Sequence, residues 1–258
     1  MSVRPKKQLG QHFLVDENIL GVIGRLAGLA PGDVALEVGP GLGALTTYLA
    51  DRVGRVHAVE LDRTLEPRLR EALGGRDNVE LVFGDALQLD LGSLDPPPTK
   101  LVANLPYNAA TPLVVESLDG LPTLESWTVM VQREVADRFF APPRTKAYGA
   151  VSVLLQLTTE RTGFHAVSST VFRPRPSVQS AIVAFRRREL PDDFAAVKRV
   201  VGAAFAHRRK QLANSLELAG VASREQAAAA LERIGRDASV RAEELTPDEF
   251  AALARTLG

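Results

Sequence analysis

Short apolar runs alternate with longer amphipathic segments through most of the chain. Apolar runs of this length, such as Val34–Val38, are typical of strands buried on both faces of a parallel sheet. Apolar positions three and four residues apart, as at Ile19, Ile23 and Leu26, indicate helices. This alternation predicts an α/β fold with a parallel, doubly wound sheet. The predicted strands cover 34–38, 55–59, 79–83, 100–103, 129–131 and 178–185, and one more falls within 150–166.

The predicted helices fill the intervals between these strands. Asp16 is a candidate N-cap for a helix that runs to about Leu29. Other helices are expected near 42–52, 63–73, from 112, 133–140 and after 150, with a polar loop at 142–148. From residue 194 onward the chain is alanine-rich and helical. We therefore predict a basic tail at 1–10, a sheet domain at 11–188 and a small helical domain at 189–258.

The amino-acid composition limits which kinds of functional site the chain can have. The chain has 31 basic and 31 acidic residues, so any nucleic-acid surface must come from local clusters. It has no cysteine and four histidines, without a His-Glu-x-x-His pattern, so we expect no metal site. No apolar run is long enough to cross a membrane, and the basic start lacks an apolar segment behind it. The default expectation is a cytoplasmic monomer.

A glycine-rich turn follows the first predicted strand. Glu37 begins the pattern, and Gly39, Gly41 and Gly43 follow at every second position. Glycines here let the backbone approach a ligand, and the spacing differs from the dinucleotide pattern Gly-x-Gly-x-x-Gly. Glu60 ends the next strand, 21 residues after Gly39, where an acid binds ribose hydroxyls. These positions predict S-adenosylmethionine, a nucleoside cofactor without a pyrophosphate.

Two further polar residues end strands. Asp85 follows the strand at 79–83 and is a candidate acceptor for an adenine amine. Asp62, which is a neighbour of Glu60, is a candidate helix cap. Asn104 follows the strand at 100–103 and begins the tetrapeptide Asn104-Leu105-Pro106-Tyr107. An adenine N6 is a poor nucleophile because its lone pair is delocalised into the ring. Acceptors at Asn104 Oδ1 and the Leu105 carbonyl would favour a pyramidal N6, and Tyr107 offers a stacking face.

An extended segment near residue 172 combines an aromatic ring with cations. Two prolines restrict the backbone of Phe172-Arg173-Pro174-Arg175-Pro176. Phe172 is a candidate to close the second face of a flipped base, or equally a loop anchor buried against the sheet. Arg173 and Arg175 are candidates for phosphate contacts.

The helical region carries three successive cations, Arg208, Arg209 and Lys210. They form either a phosphate-binding cluster or a solvated helix face, which is the usual interpretation of a short charge run.

Taken together, these motifs resemble the KsgA-type ribosomal RNA adenine dimethyltransferases, and the resemblance spans nearly the whole chain. It rests on the order and spacing of Gln11–Leu14, Glu37–Gly43, Glu60–Asp62, Gly84–Ala86, Asn104–Tyr107, Lys146–Gly149, Phe172–Ser180 and Phe205–Asn214. The resemblance implies a Rossmann-like methyltransferase domain followed by a small helical domain. It implies N6-dimethylation of two adjacent adenosines in a 3′-terminal hairpin of 16S rRNA within the immature 30S subunit.

The resemblance also implies cofactor contacts from His12, Leu14, Gly39, Glu60, Asp85 and Asn104. His12 stands where the family commonly has asparagine, and a neutral imidazole still donates one hydrogen bond. Ala213 stands where arginine is frequent, which removes one potential RNA contact.

Three other functions remain open from the sequence. The first is a large-subunit rRNA adenine methyltransferase of the antibiotic-resistance type, which shares the fold and the chemistry. Leu105 and the Phe205–Asn214 segment favour the KsgA type over it. The second is a ribosome-assembly factor that binds small subunits, with catalysis secondary. A DNA adenine methyltransferase is disfavoured, because little chain remains for a domain that reads sequence.

Overall fold

The computed structural model describes Lys6 and residues 11–258. The predicted basic tail at 1–10 therefore lies outside the described residues except for Lys6. The strands are β1 Phe13–Leu14, β2 Val34–Val38, β3 Arg55–Glu60, β4 Val79–Phe83, β5 Lys100–Asn104, β6 Ser126–Gln132, β7 Thr159–Val167, β8 Phe172–Arg173 and β9 Ser180–Arg187. The α-helices are α1 Glu17–Ala27, α2 Ala44–Ala50, α3 Glu66–Leu73, α4 Ala110–Gly120, α5 Arg133–Phe139, α6 Ala150–Thr158, α7 Phe194–Ala206, α8 Leu212–Leu218, α9 Arg224–Arg233 and α10 Pro247–Leu257.

Within residues 11–258, seven strands form one mixed sheet in the order β4-β3-β2-β5-β6-β9-β7. The strands from β4 to β6 are parallel, as expected for a Rossmann-like fold. The prediction of an all-parallel sheet was wrong at one edge, because β9 runs antiparallel to β6. The segment between β7 and β9 holds a 3-10 turn and the two-residue strand β8, without the helix that a parallel crossover requires. β1 and β8 pair as a separate two-stranded ribbon that the sequence analysis did not predict.

The order of the parallel strands determines where a ligand can bind. Chain order reverses at β2, because β3 lies on one side of it and β5 on the other. Ligands of open α/β sheets bind beyond the carboxyl ends of the strands at such a switch point. The turn at Gly39–Gly43 and the side chains of Glu60 and Asn104 all follow or end these three strands.

Helix α1 begins where the sequence predicted. The Asp16 carboxylate accepts hydrogen bonds from the backbone N–H groups of Asn18 and Ile19, at 2.8 and 3.3 Å. Such capping satisfies donors that lack an intrahelical partner. The apolar face of α1 packs into the core through Ile19 and Ile23. The residues immediately before α1 are therefore fixed relative to the sheet.

The described chain forms two compact units. The first holds the described residues up to Ala136 together with Arg161–Arg187, and the second holds Asp137–Glu160 and Arg188–Gly258. The predicted boundary near residue 188 agrees with this division, but residues 137–160 join the helical unit instead of the sheet unit. Helix α6 explains the difference, because Val151, Val153 and Leu155 are buried and the helix packs against α7 and α10.

The second unit has its own core. Phe250 and Leu253 of α10 are fully buried, and the Phe205 ring lies 5.7 Å from that of Phe250. The Tyr148 hydroxyl donates a 2.8 Å hydrogen bond to the Leu245 carbonyl. Burial, followed by the charge of nearby Glu249, raises the pKa of Tyr148, so this donor keeps its proton. The loop before α6 is thereby attached to the last third of the chain.

Among the described residues, no helix combines the length and the apolar character that crossing a bilayer requires.

Candidate active site

The carboxyl ends of the parallel strands border one pocket in the first unit. Glu60 ends β3, Asp85 follows β4 and Asn104 ends β5. The pocket brings together residues of the N-terminal segment, the glycine-rich turn, these strand ends and the tetrapeptide after β5. Its lining includes Gln11, His12, Phe13, Gly39, Gly41, Glu60, Asp85, Leu87 and Asn104 to Tyr107. Residues that the sequence analysis named separately are thus neighbours.

The glycine-rich turn is shaped so that no side chain fits at two of its positions. Gly39 has φ +79°, and an added Cβ would lie 3.3 Å from the Pro106 ring. Gly41 has φ +59°, and an added Cβ would lie 3.0 Å from the Phe13 ring. A side chain at either position would therefore be strained and crowded. The turn instead presents bare backbone to the pocket, as a nucleoside ligand requires.

Glu60 is held by the backbone on both carboxylate oxygens. Oε2 accepts from the Gly41 N–H at 3.1 Å, and Oε1 accepts from the Asp62 N–H at 2.8 Å. Burial raises the pKa of Glu60, and these two N–H donors oppose that rise. Each oxygen keeps a further lone pair, so the carboxylate can still accept hydrogen bonds from two ribose hydroxyls. These acceptor oxygens thus fit the ribose of S-adenosylmethionine.

Asp62 does more than cap the following turn. It accepts from the Thr64 N–H at 3.1 Å, which confirms the predicted cap. It also accepts from Lys6 Nζ at 2.7 Å and from Gln11 Nε2 at 3.0 Å. Burial alone would raise the pKa of Asp62, but hydrogen bonds from Lys6, Thr64 and Gln11 outweigh it and hold the pKa at about 2. This carboxylate therefore fixes the segment that supplies Gln11, His12 and Phe13 to the pocket.

The tetrapeptide after β5 presents acceptors at the pocket. Asn104 Nδ2 lies 3.4 Å from the His12 carbonyl oxygen, and the Leu105 N–H donates to the Met130 carbonyl. Asn104 Oδ1 and the Leu105 carbonyl oxygen accept no hydrogen bond from any residue that the structure describes. Both of the acceptors that the sequence analysis proposed for an adenine amine are therefore available.

Tyr107 is half-buried in the pocket wall. Its hydroxyl lies 3.0 Å from Ser180 Oγ at the start of β9. Burial raises the pKa of Tyr107, partly opposed by the hydrogen bond with Ser180. Its ring centroid is 5.7 Å from that of His12, with the planes 30° apart. The phenol is thus a neutral aromatic surface fixed at its polar end.

His12 differs from its expected role in one respect. Its Nδ1 lies 2.8 Å from the Pro174 carbonyl oxygen, which can only accept, so Nδ1 carries a proton. A neutral ring then has an acceptor at Nε2. The single donor that the sequence analysis expected for the cofactor is therefore already used by Pro174.

Comparison with known proteins decides the family. The model for ribosomal RNA adenine dimethylase matches residues 3–257. This chain belongs to the ribosomal RNA adenine dimethylase family. The chain is 50% identical over 255 residues to ribosomal RNA small subunit methyltransferase A of Rubrobacter xylanophilus, covering 98% of this chain and 95% of the relative. The protein of the same name from Moorella thermoacetica is 44% identical over 269 residues, covering 98% and 92%.

Solved structures agree on the dimethylase fold. A dimethyladenosine transferase from Plasmodium falciparum superposes with a TM-score of 0.78 at 23% identity, covering 94% of this chain and 96% of that one. The 23S rRNA methyltransferase ErmE superposes with a TM-score of 0.67 at 32% identity, covering 95% and 99%. As a dimethylase the protein is an S-adenosylmethionine-dependent methyltransferase that acts on ribosomal RNA.

Not every residue predicted for the dimethylase site lines the pocket. Leu14 is buried in the core and borders a small adjoining cavity. Phe172 pairs with Leu14 in the β1–β8 ribbon and is 0% exposed within the same core. A fully enclosed ring has no face to offer a base, so the structure favours the loop-anchor interpretation of Phe172 over the stacking role.

The arginines near Phe172 lie on the surface. Arg173 is exposed, and its Nη1 donates to the carbonyls of Thr170 and Phe172. Arg175 is exposed, and its Nε donates to Ser169 Oγ at 2.7 Å. Each guanidinium keeps further donors because it carries five N–H groups. Both arginines therefore remain candidates for phosphate contacts.

The dimethylase pocket has one acidic neighbour to which the sequence analysis gave no role. Glu37 of β2 is 1% exposed, and its Oε2 has no hydrogen-bond partner among the described residues. Burial, with a contribution from the charge of Glu60, raises the pKa of Glu37 to about 8. It borders a cavity of about 30 Å³ together with Gly39 and Asn104, which is room for a water molecule. The sequence contained one signal that could have indicated Glu37, because a charged residue stands there inside the apolar run Val34–Val38.

The three cations of the second unit differ in their surroundings. All three are exposed, and the Arg208 guanidinium also donates to Glu243 and to the Lys146 carbonyl. Ala213 is buried at 2% exposure in α8, so its side chain faces the helical core. Among the described residues no group of three or more acids, histidines and cysteines is arranged to hold a metal ion.

Proposed function

We propose that this protein dimethylates N6 of two adjacent adenosines in a 3′-terminal hairpin of 16S rRNA. We further propose that it acts on immature 30S subunits, as a cytoplasmic monomer. The observation that carries this proposal is the tetrapeptide Asn104–Tyr107, with two unused acceptors, at the strand end beside the pocket of Glu60. Relatives named small subunit methyltransferase A support the choice of the small subunit.

The proposed cofactor contacts follow from the pocket. Glu60 accepts hydrogen bonds from the ribose hydroxyls, and Asp85 accepts from the adenine amine. Gly39 and Gly41 leave room along the turn, while His12 and Leu14 close the N-terminal side. When bound, S-adenosylmethionine supplies an electrophilic methyl group on a sulfonium.

The proposed chemistry of the target side requires no strong base. Asn104 Oδ1 and the Leu105 carbonyl accept the two N–H bonds of adenine N6, which frees the nitrogen lone pair to take up a methyl group. Their contribution is position and fixed electrostatics. As the bond from N6 to the methyl carbon forms, the bond from that carbon to sulfur breaks, and the cationic N6 then loses one proton to water, for which no strong base is needed. The monomethylated N6 has one N–H left, so one acceptor is enough to orient it for the second transfer. Pro106 fixes the turn, and Tyr107 stacks on the base.

The test uses tritiated S-adenosylmethionine with undermethylated 30S subunits, undermethylated 50S subunits and naked rRNA as separate substrates. We expect label on the 30S sample, recovered as N6,N6-dimethyladenosine. Label on 50S subunits or on 23S rRNA alone would contradict the proposal and favour the large-subunit alternative, to which the likeness to ErmE gives weight.

A scaffold role in small-subunit assembly is tested separately. Glu60→Ala should abolish methyl transfer, and its assembly phenotype then decides whether binding has a role of its own. Normal assembly with this variant would identify a separable binding function. Failure of assembly in a folded variant that still binds RNA would make the two inseparable.

A further inference from the structure

His12 places a titratable ring at one end of the pocket. Its carbonyl oxygen lies 3.4 Å from Asn104 Nδ2, and its ring centroid is 5.7 Å from that of Tyr107. Glu60 at the end of β3 and Asp85 just after β4 line the same pocket from other strands. In the proposed function the methyl group passes from the sulfonium to an N6 held at Asn104. The His12 ring is therefore expected near the sulfonium, whereas the two carboxylates bind the nucleoside.

The two ring nitrogens of His12 differ in their partners. Nδ1 donates to the Pro174 carbonyl oxygen at 2.8 Å, and it carries this hydrogen in both the neutral and the protonated ring. Nε2 has no partner among the residues that the structure describes. A proton that the ring gains therefore binds at Nε2. Because the ring is half-buried and lines the pocket, its charge acts on the ligand inside.

The methyl donor and its product differ in charge at one atom. S-adenosylmethionine carries a positive charge on sulfur, which is lost when the methyl group leaves. S-adenosylhomocysteine keeps the same nucleoside and the same amino-acid end. A positive charge close to the sulfur therefore opposes binding of the donor and has much less effect on binding of the product. Histidine is the side chain whose ordinary titration lies in the physiological pH range.

We propose that His12 determines the preference of this pocket between S-adenosylmethionine and S-adenosylhomocysteine. The neutral ring does not repel the sulfonium, whereas the ring with a proton on Nε2 does. This inference rests on the proposed function, which puts the methyl transfer beside Asn104. It goes beyond a cofactor contact, because the asparagine that is common in the family at this position has no charge to gain.

Other titratable or charged groups surround the ring. They belong to the two cavities that it lines, to the ion pair that holds Gln11, and to the chain on either side of Pro174. They are Lys6, Glu37, Glu60, Asp62, Asp85, Tyr107, Arg173 and Arg175. Burial raises the pKa of Glu37 to about 8, so this carboxyl competes with His12 as the origin of a pH effect. The experiment must therefore separate these two residues.

Calorimetric titration with both ligands tests the proposal. The full-length protein is titrated with S-adenosylmethionine and with S-adenosylhomocysteine at pH 8, 7, 6 and 5.5, and the Kd of the donor is divided by the Kd of the product. An ordinary imidazole is about nine-tenths protonated at pH 5.5, so the neutral form falls about tenfold between the two extremes. We expect this Kd ratio to rise about tenfold from pH 8 to pH 5.5 in the wild type.

Two variants assign the effect to a residue. His12→Asn keeps a short polar side chain that cannot gain a charge, so its Kd ratio should change by less than about twofold over the same range. Glu37→Gln removes the competing carboxyl and should retain the rise. A constant ratio in the wild type, an equal rise in His12→Asn or a constant ratio in Glu37→Gln would each overturn the proposal. Thermal unfolding confirms that each variant is folded, and His12→Gln provides the same comparison if His12→Asn is not.

Failure of this assignment and failure of the proposed function are distinguishable. The titrations need neither RNA nor turnover, so they decide the role of His12 whether or not methyl transfer is detected. Transfer of label to 30S subunits by the wild type is measured separately, and its absence counts against the proposed function alone.

Discussion

Asp62 offers the most quantitative test of how the pocket is built. Its carboxylate receives Lys6 Nζ at 2.7 Å and Gln11 Nε2 at 3.0 Å, and its side chain is 3% exposed. Asp62→Asn keeps the size and one acceptor. It removes the negative charge that Lys6 faces. It also replaces one carboxylate oxygen by an NH2 group, which cannot accept a hydrogen bond.

The expected change in the free energy of unfolding follows from the pKa of Asp62. The pKa of Asp62 falls from its ordinary 3.8 to about 2. At 1.36 kcal/mol per pH unit, the charged form stabilises the folded state by about 2 kcal/mol. A carboxylate whose pKa is lower when folded gives this stability fully above its unfolded pKa and loses it as pH falls toward its folded pKa. We expect the full difference between wild type and Asp62→Asn at pH 7 and about half of it near pH 3.

Urea unfolding at pH 7, 5, 4 and 3 measures this difference. Trp127 is the only tryptophan of the chain and is fully buried, so its fluorescence reports on the sheet unit. Asp51→Asn is the matched control, because Asp51 pairs with Arg76 at the surface and should contribute less than about 1 kcal/mol. The reasoning is refuted if Asp62→Asn costs no more than this control, or if its cost is the same at pH 7 and pH 3.

Four further predictions concern the pocket and the core. Glu60→Gln should weaken S-adenosylmethionine binding by about 2–3 kcal/mol in calorimetry, because a charged acceptor is lost; an unchanged Kd would contradict the ribose role. Asn104→Ala should lower kcat about 10²–10³-fold, with a nearly unchanged Kd for 30S subunits, and equal losses in both would contradict a role at N6. Phe172→Leu should lower the free energy of unfolding by about 1 kcal/mol with kcat retained, and a selective loss of kcat would restore a stacking role. Arg187→Lys should cost about 2 kcal/mol in urea unfolding, because Arg187 donates to the carbonyls of Leu118, Leu121 and Leu124, and a neutral effect would mean that these bonds contribute nothing.

The sequence predicted local structure well because local structure has local causes. The cap at Asp16, the strand Val34–Val38 and the turn glycines each depend on nearby residues. Strand direction does not depend on nearby residues, because side chains alternate in the same way in parallel and antiparallel strands. For this reason β9 was assigned the wrong orientation. Each strand of the β1–β8 ribbon has two residues, which is too few to show the alternation of side chains that predicts a strand.

The same distinction applies to the site. The position of Glu60, Asp85 and Asn104 at one pocket could be predicted, because each ends or follows a recognisable strand. The partners of Asp62 and Arg208 were missed, because Lys6 and Glu243 meet them only through the fold. Phe172 had two open interpretations, since the residue type fits a core and a stacking platform equally well. Burial decided between them, and burial is a property of the whole fold.

The contact between His12 and Pro174 has a consequence for the growing chain. The two residues are 162 positions apart. The segment that carries His12 also includes β1, which pairs with β8, and its His12 carbonyl oxygen lies 3.4 Å from Asn104 Nδ2. At about 5–20 residues per second, roughly 8–32 s pass between their synthesis. The β1–β8 ribbon and the bond from His12 to Pro174 cannot form during that interval, because residues 172–174 do not yet exist. In a nascent copy of this enzyme, itself made on a ribosome, the segment that carries His12 is therefore held by Asp62, through Gln11, and not yet by β8, until about two thirds of the chain has been translated.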